Sequence, residues 1–264
     1  PDINEAGLDV LATPTCLADD FQSSKTELIT DIILWGAWLD DKVGPLDLSI
    51  AFFSNLPAGT GGVPYNRPGN LLWYRSIPAE EIEATGIATS DSPLYDASTN
   101  QAIGSTSITI QYDIYVDPCE AFMQHEDTIY WLLIQRPNVD DGNIFGWKTS
   151  FNHFNGAGIF QYIPPGNGQS EIRQLFYPIT HQFVGQRMDM AFVIATSAPG
   201  PGDGNFDGDG DVDLVDFAIL AAAWLTEDGD AKWNPSCDIN IPADGIVDIM
   251  DLAVFAENWL AGAR

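Results

Sequence analysis

The residues best suited to chemistry lie near the C-terminus. There Asn205-Phe-Asp-Gly-Asp-Gly-Asp-Val-Asp-Leu-Val-Asp216 sets an oxygen-bearing side chain at almost every second position. Counted as a twelve-residue loop, it places Asn205, Asp207, Asp209, Asp213 and Asp216 at positions one, three, five, nine and twelve, with Asp211 at seven and Gly210 at six. Ca2+ takes roughly six to eight hard oxygen ligands in a flexible cage, and alternate residues of a tight loop aim at one point only where a glycine permits the sharp turn. The competing reading is a solvated acidic loop without an ion. Mutual repulsion of five convergent oxygens argues against it.

The pattern recurs with a period of 35 residues: Asp203, Asn205, Asp209, Gly210, Asp213, Asp216 and Trp224 correspond to Asp238, Asn240, Asp244, Gly245, Asp248, Asp251 and Trp259. A strict twelve-residue register would put Pro242 where a ligand belongs, so Asp238 and Asn240 are expected to replace it through a two-residue insertion. Ile246 takes position seven, which contributes a backbone carbonyl. Asp203 either adds a ligand or flanks the first loop. The expected cofactor is Ca2+, at least two ions per chain. Val212, at position eight, is expected to pair the two loops through a short β-bridge.

An amphipathic helix should follow each loop. Leu214 to Leu225 carries Phe217, Leu220, Ala221 and Trp224 on one face, and Ile249 to Leu260 carries Leu252, Phe255, Ala256 and Trp259. These read as core stripes. Loop followed by helix, twice, without the entering helix of an EF-hand, resembles the type I dockerins over about the last 62 residues. That resemblance implies two bound Ca2+ and helices that dock onto cohesin modules of cellulosome-like assemblies. Dockerins mostly carry polar recognition residues at positions ten and eleven, whereas this chain has Leu214-Val215 and Ile249-Met250. A different partner is therefore expected, either the N-terminal domain or another subunit.

Upstream, residues 197–202 (Ser-Ala-Pro-Gly-Pro-Gly) read as a stiff linker between a domain over 1–196 and the module over 203–264. The N-terminal part shows short β-type runs between turn residues, the pattern of an antiparallel β-sandwich of jelly-roll type. The clearest run is Ser107 to Val116, where Ile108, Ile110, Tyr112, Ile114 and Val116 alternate with polar positions. Further strands are expected over Ile29–Leu39, Leu46–Phe53, Leu71–Ile77, Thr128–Gln135, Phe145–Thr149 and Met188–Ile194, with a helical turn over Ala79–Ala84. The segments Gly7-Leu-Asp-Val10, Leu17-Ala-Asp-Asp-Phe21, Ile29 to Trp38 and Phe145-Gly-Trp-Lys-Thr149 resemble a secreted β-domain of Planctomycetes-type bacteria that often precedes a dockerin-like repeat. This resemblance implies fold and context, not activity.

With 38 acidic against 10 basic residues the formal charge is -28, which repels nucleic acid and anionic membrane surfaces. No stretch approaches the roughly 20 apolar residues of a membrane helix. A chain starting at Pro1 reads as a processed, secreted product. Cys16, Cys119 and Cys237 form no metal pattern, and Cys16 with Cys119 is the expected disulfide.

No catalytic set stands out. His125, His153 and His181 lie far apart, and the pairs Asp19-Asp20, Asp40-Asp41 and Asp140-Asp141 suit loop turns or extra Ca2+ ligands better than a glycosidase acid and base, since neighbours on a strand point to opposite faces. Trp35, Trp38, Trp73, Trp131 and Trp147 read as core. The sequence thus points to a secreted, non-enzymatic Ca2+-binding structural protein of the cell surface or extracellular matrix. Its expected partners are other copies of itself or a cell-surface scaffold protein, joined into filaments or tubes. The rival is a carbohydrate-binding module, with polysaccharide as its partner.

Overall fold

The computed structural model describes residues 1, 7–137, 141–164, 170–195, 204–208, 212–240 and 243–259, apart from the side chains of 87, 90, 119 and 257. The linker and Asp203, Asp209, Gly210, Asp211, Asp140 and Pro242 therefore lie outside the described residues. The chain divides into two compact units. One holds residues 1–23, 31–115 and 127–194; the other holds 24–30, 116–126 and 195–264.

The fold is mainly β. In chain order the strands are β1 (Asp9–Leu11), β2 (Leu17–Gln22), β3 (Glu27–Ile29), β4 (Asp31–Trp38), β5 (Leu48–Leu56), β6 (Arg67–Ile77), β7 (Ile82–Asp96), β8 (Gln101–Tyr115), β9 (Phe122–Gln124), β10 (Ile129–Gln135), β11 (Phe145–Ser150), β12 (Ile159–Tyr162), β13 (Glu171–Gln174), β14 (Asp189–Met190) and β15 (Phe192–Ala195). The two helices are α1 (Leu214–Ala222) and α2 (Ile249–Glu257).

In the first unit a seven-stranded sheet runs β14-β11-β1-β7-β8-β4-β15, and a six-stranded sheet runs β13-β12-β2-β10-β5-β6. β1 runs parallel to β7, while β1–β11, β11–β14, β11–β4, β4–β8, β7–β8, β2–β10, β10–β5, β5–β6, β2–β12 and β12–β13 are antiparallel. Because β11 bonds to both β1 and β4, the strands β1, β7, β8, β4 and β11 close into a ring. Closure leaves little room at its seam: a Cβ on Gly36 would fall within the Phe145 ring, and one on Gly146 would strike Leu94 and Asp9. Trp38, Trp131 and Trp147 are at most 1% exposed, so three of the five indoles expected in the core are there.

Alternation works as expected from Ile110 onward, where Ile110, Tyr112 and Ile114 of β8 and Val116 just after it are buried, but Ile108 is half-buried and Thr109 is buried instead. Three expectations need correcting. The helical turn over Ala79–Ala84 shrinks to a 3-10 turn over Ala79–Glu81, and β7, a 15-residue strand, follows directly. Its Gly, Ser, Asp and Pro residues and its register shifts, one of them at Gly86, hide the period-two signal. The runs Ile29–Leu39 and Met188–Ile194 are each two strands, since β3 ends at Ile29 and β4 starts at Asp31, while β14 ends at Met190 and β15 starts at Phe192 at the other end of the sheet.

In the second unit β3 pairs with β9 as a two-stranded sheet. The helical part is held by Val212, Leu220, Ala223, Cys237, Ile239, Val247 and Phe255. The buried stripe of α1 is rotated from the expected one: Leu220 is buried, but Phe217 and Trp224 remain 43% and 37% exposed, and Trp259 after α2 is 39% exposed. In α1 the loop bonds bring Asp216 inward in place of Phe217 and Trp224, whereas α2 buries both Asp251 and Phe255. Cys16 is a free, half-buried thiol, so the expected disulfide with Cys119 does not form. Cys237 is free and buried; burial, then the Asp251 charge, pushes its thiol up to about 11, so it stays protonated at neutral pH. Among the described residues no helix is long and apolar enough to cross a membrane.

Candidate functional site

Each helix of the second unit starts on a pair of aspartates from the preceding loop. Asp213 and Asp248 are the N-caps, with Oδ1 accepting from Val215 N (2.7 Å) and Met250 N (2.8 Å). Three residues later Asp216 and Asp251 return the bond to the caps' own N–H groups at 3.0 and 2.8 Å, completing two capping boxes. Both of these carboxylates are 0% exposed.

Their second oxygens reach back to the start of the loop. Asp216 Oδ1 accepts from Phe206 N (2.6 Å) and Asp207 N (3.1 Å); Asp251 Oδ1 accepts from Ile239 N (2.7 Å) and Asn240 N (3.0 Å). Three backbone donors thus converge on each carboxylate. The equivalence fixes the alignment of the repeats: Phe206-Asp207 matches Ile239-Asn240, so Asp238 stands where Asn205 does. The extra two residues of the second loop then fall between Asn240 and Asp244. Asp238 Oδ2 accepts from Gly245 N at 2.9 Å, closing that loop on the glycine, whose φ of 81° is the left-handed conformation expected of it.

Asn205 Oδ1 accepts from Gly208 N at 2.9 Å, and Asp244 Oδ1 from Ile246 N at 3.0 Å. Asn240 Oδ1 is buried and has no hydrogen-bond partner among the described residues. Every side-chain donor here is an oxygen, the ligand type of a hard cation. Among the described residues no three His, Cys, Asp or Glu side chains form a metal-holding group; Asp209 and Asp211 fall outside that set. The β-bridge found near the loops joins Glu227 to Ile246, not Val212 to its counterpart, although Val212 and Val247 share the core.

A second cluster, which sequence reasoning did not assemble, lies in the first unit. A cavity of about 470 Å3 is bordered by Asp19 and Asp20 of β2 and by Asp189 of β14. Asp19 and Asp20 are neighbours on a strand, not in a loop turn, and Asp20 pairs with Trp131 while Asp19 pairs with Leu132. Asp19 Oδ2 accepts from Met190 N at 2.6 Å, and Asp20 Oδ2 accepts from Asn155 Nδ2 at 2.6 Å. Asp189 Oδ2 takes Phe154 N at 2.9 Å and lies 3.3 Å from His153 Nδ1. An acidic residue inside an apolar run, as in Leu17-Ala-Asp-Asp-Phe21 and Met188-Asp-Met190, was the available signal. By contrast Asp40 and Asp41 do form a turn, with Asp41 Oδ1 accepting from Ser107 N at 2.8 Å.

Burial raises all three carboxyls, Asp20 to about 6 and Asp19 well above the usual range; in Asp19 the Asp189 charge adds to it. A folded-state pKa above the unfolded value makes stability fall as pH rises. The protonated Asp20 carboxyl contributes on the order of 3 kcal/mol of stability, fully present below about pH 4 and lost as pH rises to about 6. Asp20→Asn should therefore be more stable than the parent at pH 7 and show a flatter profile, read from thermal unfolding of the buried tryptophans. An unchanged slope would disprove the assignment.

No curated protein and no solved structure matches the chain. Residues 1–195 match a family described as a domain of unknown function, DUF7901. With most of its length inside that match, and both main sheets within it, the chain belongs to the DUF7901 family.

Proposed function

We propose that this is a secreted, non-enzymatic Ca2+-binding structural protein of the cell surface or extracellular matrix, whose copies assemble with one another. The observation that carries the reading is the doubled staple. Asp216 and Asp251 accept the same set of backbone N–H groups in each repeat, within a segment of net charge -12, from 14 acidic and 2 basic residues, whose loop sequences are rich in oxygen side chains. Asn240 Oδ1 supports it independently, because a buried amide oxygen without a donor is costly unless a cation lies against it. When bound, Ca2+ supplies the positive charge that these oxygens lack. Asn205, Asp207, Asp209, Asp211 and Asp213 would hold one ion; Asp238, Asn240, Asp244, Asp248 and the backbone of Ile246 would hold the other. Asp216 and Asp251 position the loops and can add oxygens of their own.

We read the tail as a dockerin-like docking module and the sheet-bearing unit as a β-sandwich of jelly-roll type. Support for the sandwich comes from Phe21 of β2 and Phe192 of β15, whose rings approach to 6.0 Å between the two sheets. Support for docking comes from apolar residues left bare at positions ten and eleven: Leu214 is 70% exposed, Val215 52%, Ile249 62% and Met250 57%. At -28 per chain, copies repel until cations bind or screen them. The rival polysaccharide-binding reading needs a row of exposed rings, and Trp38, Trp131 and Trp147 are buried.

Light scattering of the full chain should show growth at millimolar Ca2+ that EDTA reverses. Substituting Leu214, Val215, Ile249 and Met250 together by Ser should suppress growth while Ca2+ uptake persists. Growth unaffected by the four substitutions would refute docking through these residues.

A further inference from the structure

The acidic cavity of the sheet-bearing unit plays no part in that reading, and its chemistry selects a ligand of its own. Asp20 and Asp189 are each only 3% exposed, yet Asp20 Oδ1 and Asp189 Oδ1 are buried without a hydrogen-bond partner among the described residues. Ionised oxygens in that state are expensive to leave unpaired. Arg187, which donates to the Asn155 carbonyl at 2.8 Å, and His153 lie close to these carboxyls, and Pro1 borders the same cavity.

Each ligand class can be weighed against this lining. An anion is repelled. A neutral ligand brings no positive charge to the two buried oxygens. A metal chelate does not fit, because no three ligating side chains converge here. Gln22, Ser150 and Asn152 add polar groups to the wall, and Trp35, Phe154, Ala191 and Phe192 border the same space with apolar surface. An acidic end joined to aromatic walls suits a cation that carries its own N–H donors and a hydrocarbon stem. At about 470 Å3 the cavity lies within the usual range for small-ligand sites.

We propose that this cavity binds an alkylammonium group, its N–H donors on Asp20 Oδ1 and Asp189 Oδ1 and its stem along Trp35 and Phe154. Two sources share that chemistry, a free polyamine and a lysine side chain of another protein. Calorimetry on the full chain in Ca2+, at pH 7.5, should show saturable uptake of 1,5-diaminopentane or of Nα-acetyl-lysine methylamide, whichever source applies being the tighter. Neutral 1-pentanol should not bind. Asp20→Asn, which the pKa direction predicts to fold at least as well as the parent, should weaken uptake at least tenfold. Trp35→Leu, which leaves all three carboxyls intact, should weaken it about fivefold, the scale of a partly desolvated cation–π contact. Uptake should also fall as pH drops below about 6. Absence of saturable amine uptake, equal uptake of the alcohol, or full affinity in Asp20→Asn would each overturn the proposal. None of these results depends on the tail loops.

Discussion

Excess EDTA added to the full chain should release the backbone amides of α1 and α2 to rapid hydrogen exchange, while those of β5, β8 and β10 stay protected. The helical part of the second unit has a small core, seven buried residues with a few half-buried neighbours. Against it stands the repulsion within a segment of net charge -12. Ion binding linked to folding adds about 2.7 kcal/mol per site at a hundredfold excess over Kd, so two sites supply about 5 kcal/mol, comparable to the whole stability of a small domain. Helices that remain protected in EDTA would show that the core and the two capping boxes suffice without an ion.

The largest effect of a single substitution is expected at the staples. Asp251→Ala removes the acceptor for Ile239 N, Asn240 N and Asp248 N at once, in a position that water does not reach. Leaving three such donors unsatisfied costs on the order of 4 kcal/mol. Asp251→Asn keeps one accepting oxygen and should lose roughly half as much. Asp216→Ala should act likewise on the first loop, through Phe206 N, Asp207 N and Asp213 N. Thermal unfolding in saturating Ca2+ measures all three variants. If Asp251→Ala melts with the parent, the carboxylate does not organise its loop.

The tail was legible because its information is local. A 35-residue period, a glycine at position six and an aspartate three residues past each N-cap all act within a dozen residues, and they fixed loop and helix positions to within a few residues. The precise helix faces were not legible. Hydropathy alone aligned Phe217, Ala221 and Trp224 inward, whereas buried Asp216 claims the inward side. Long-range pairing was illegible for a different reason. Ring closure joins β11 to β1 and β4 across more than a hundred residues, and β7 lacks the alternation that would announce a strand. The acidic cavity shows the same limit: the bond from Met190 N to Asp19 spans 171 positions, so no spacing rule could bring Asp19, Asp20 and Asp189 together.

Counting Ca2+ ions on the full chain by calorimetry tests the central claim most directly. The account predicts two ions per chain, with Asp209→Ala abolishing one binding event and Asp244→Ala abolishing the other. A chain that binds no Ca2+, or whose binding survives both substitutions unchanged, would contradict it.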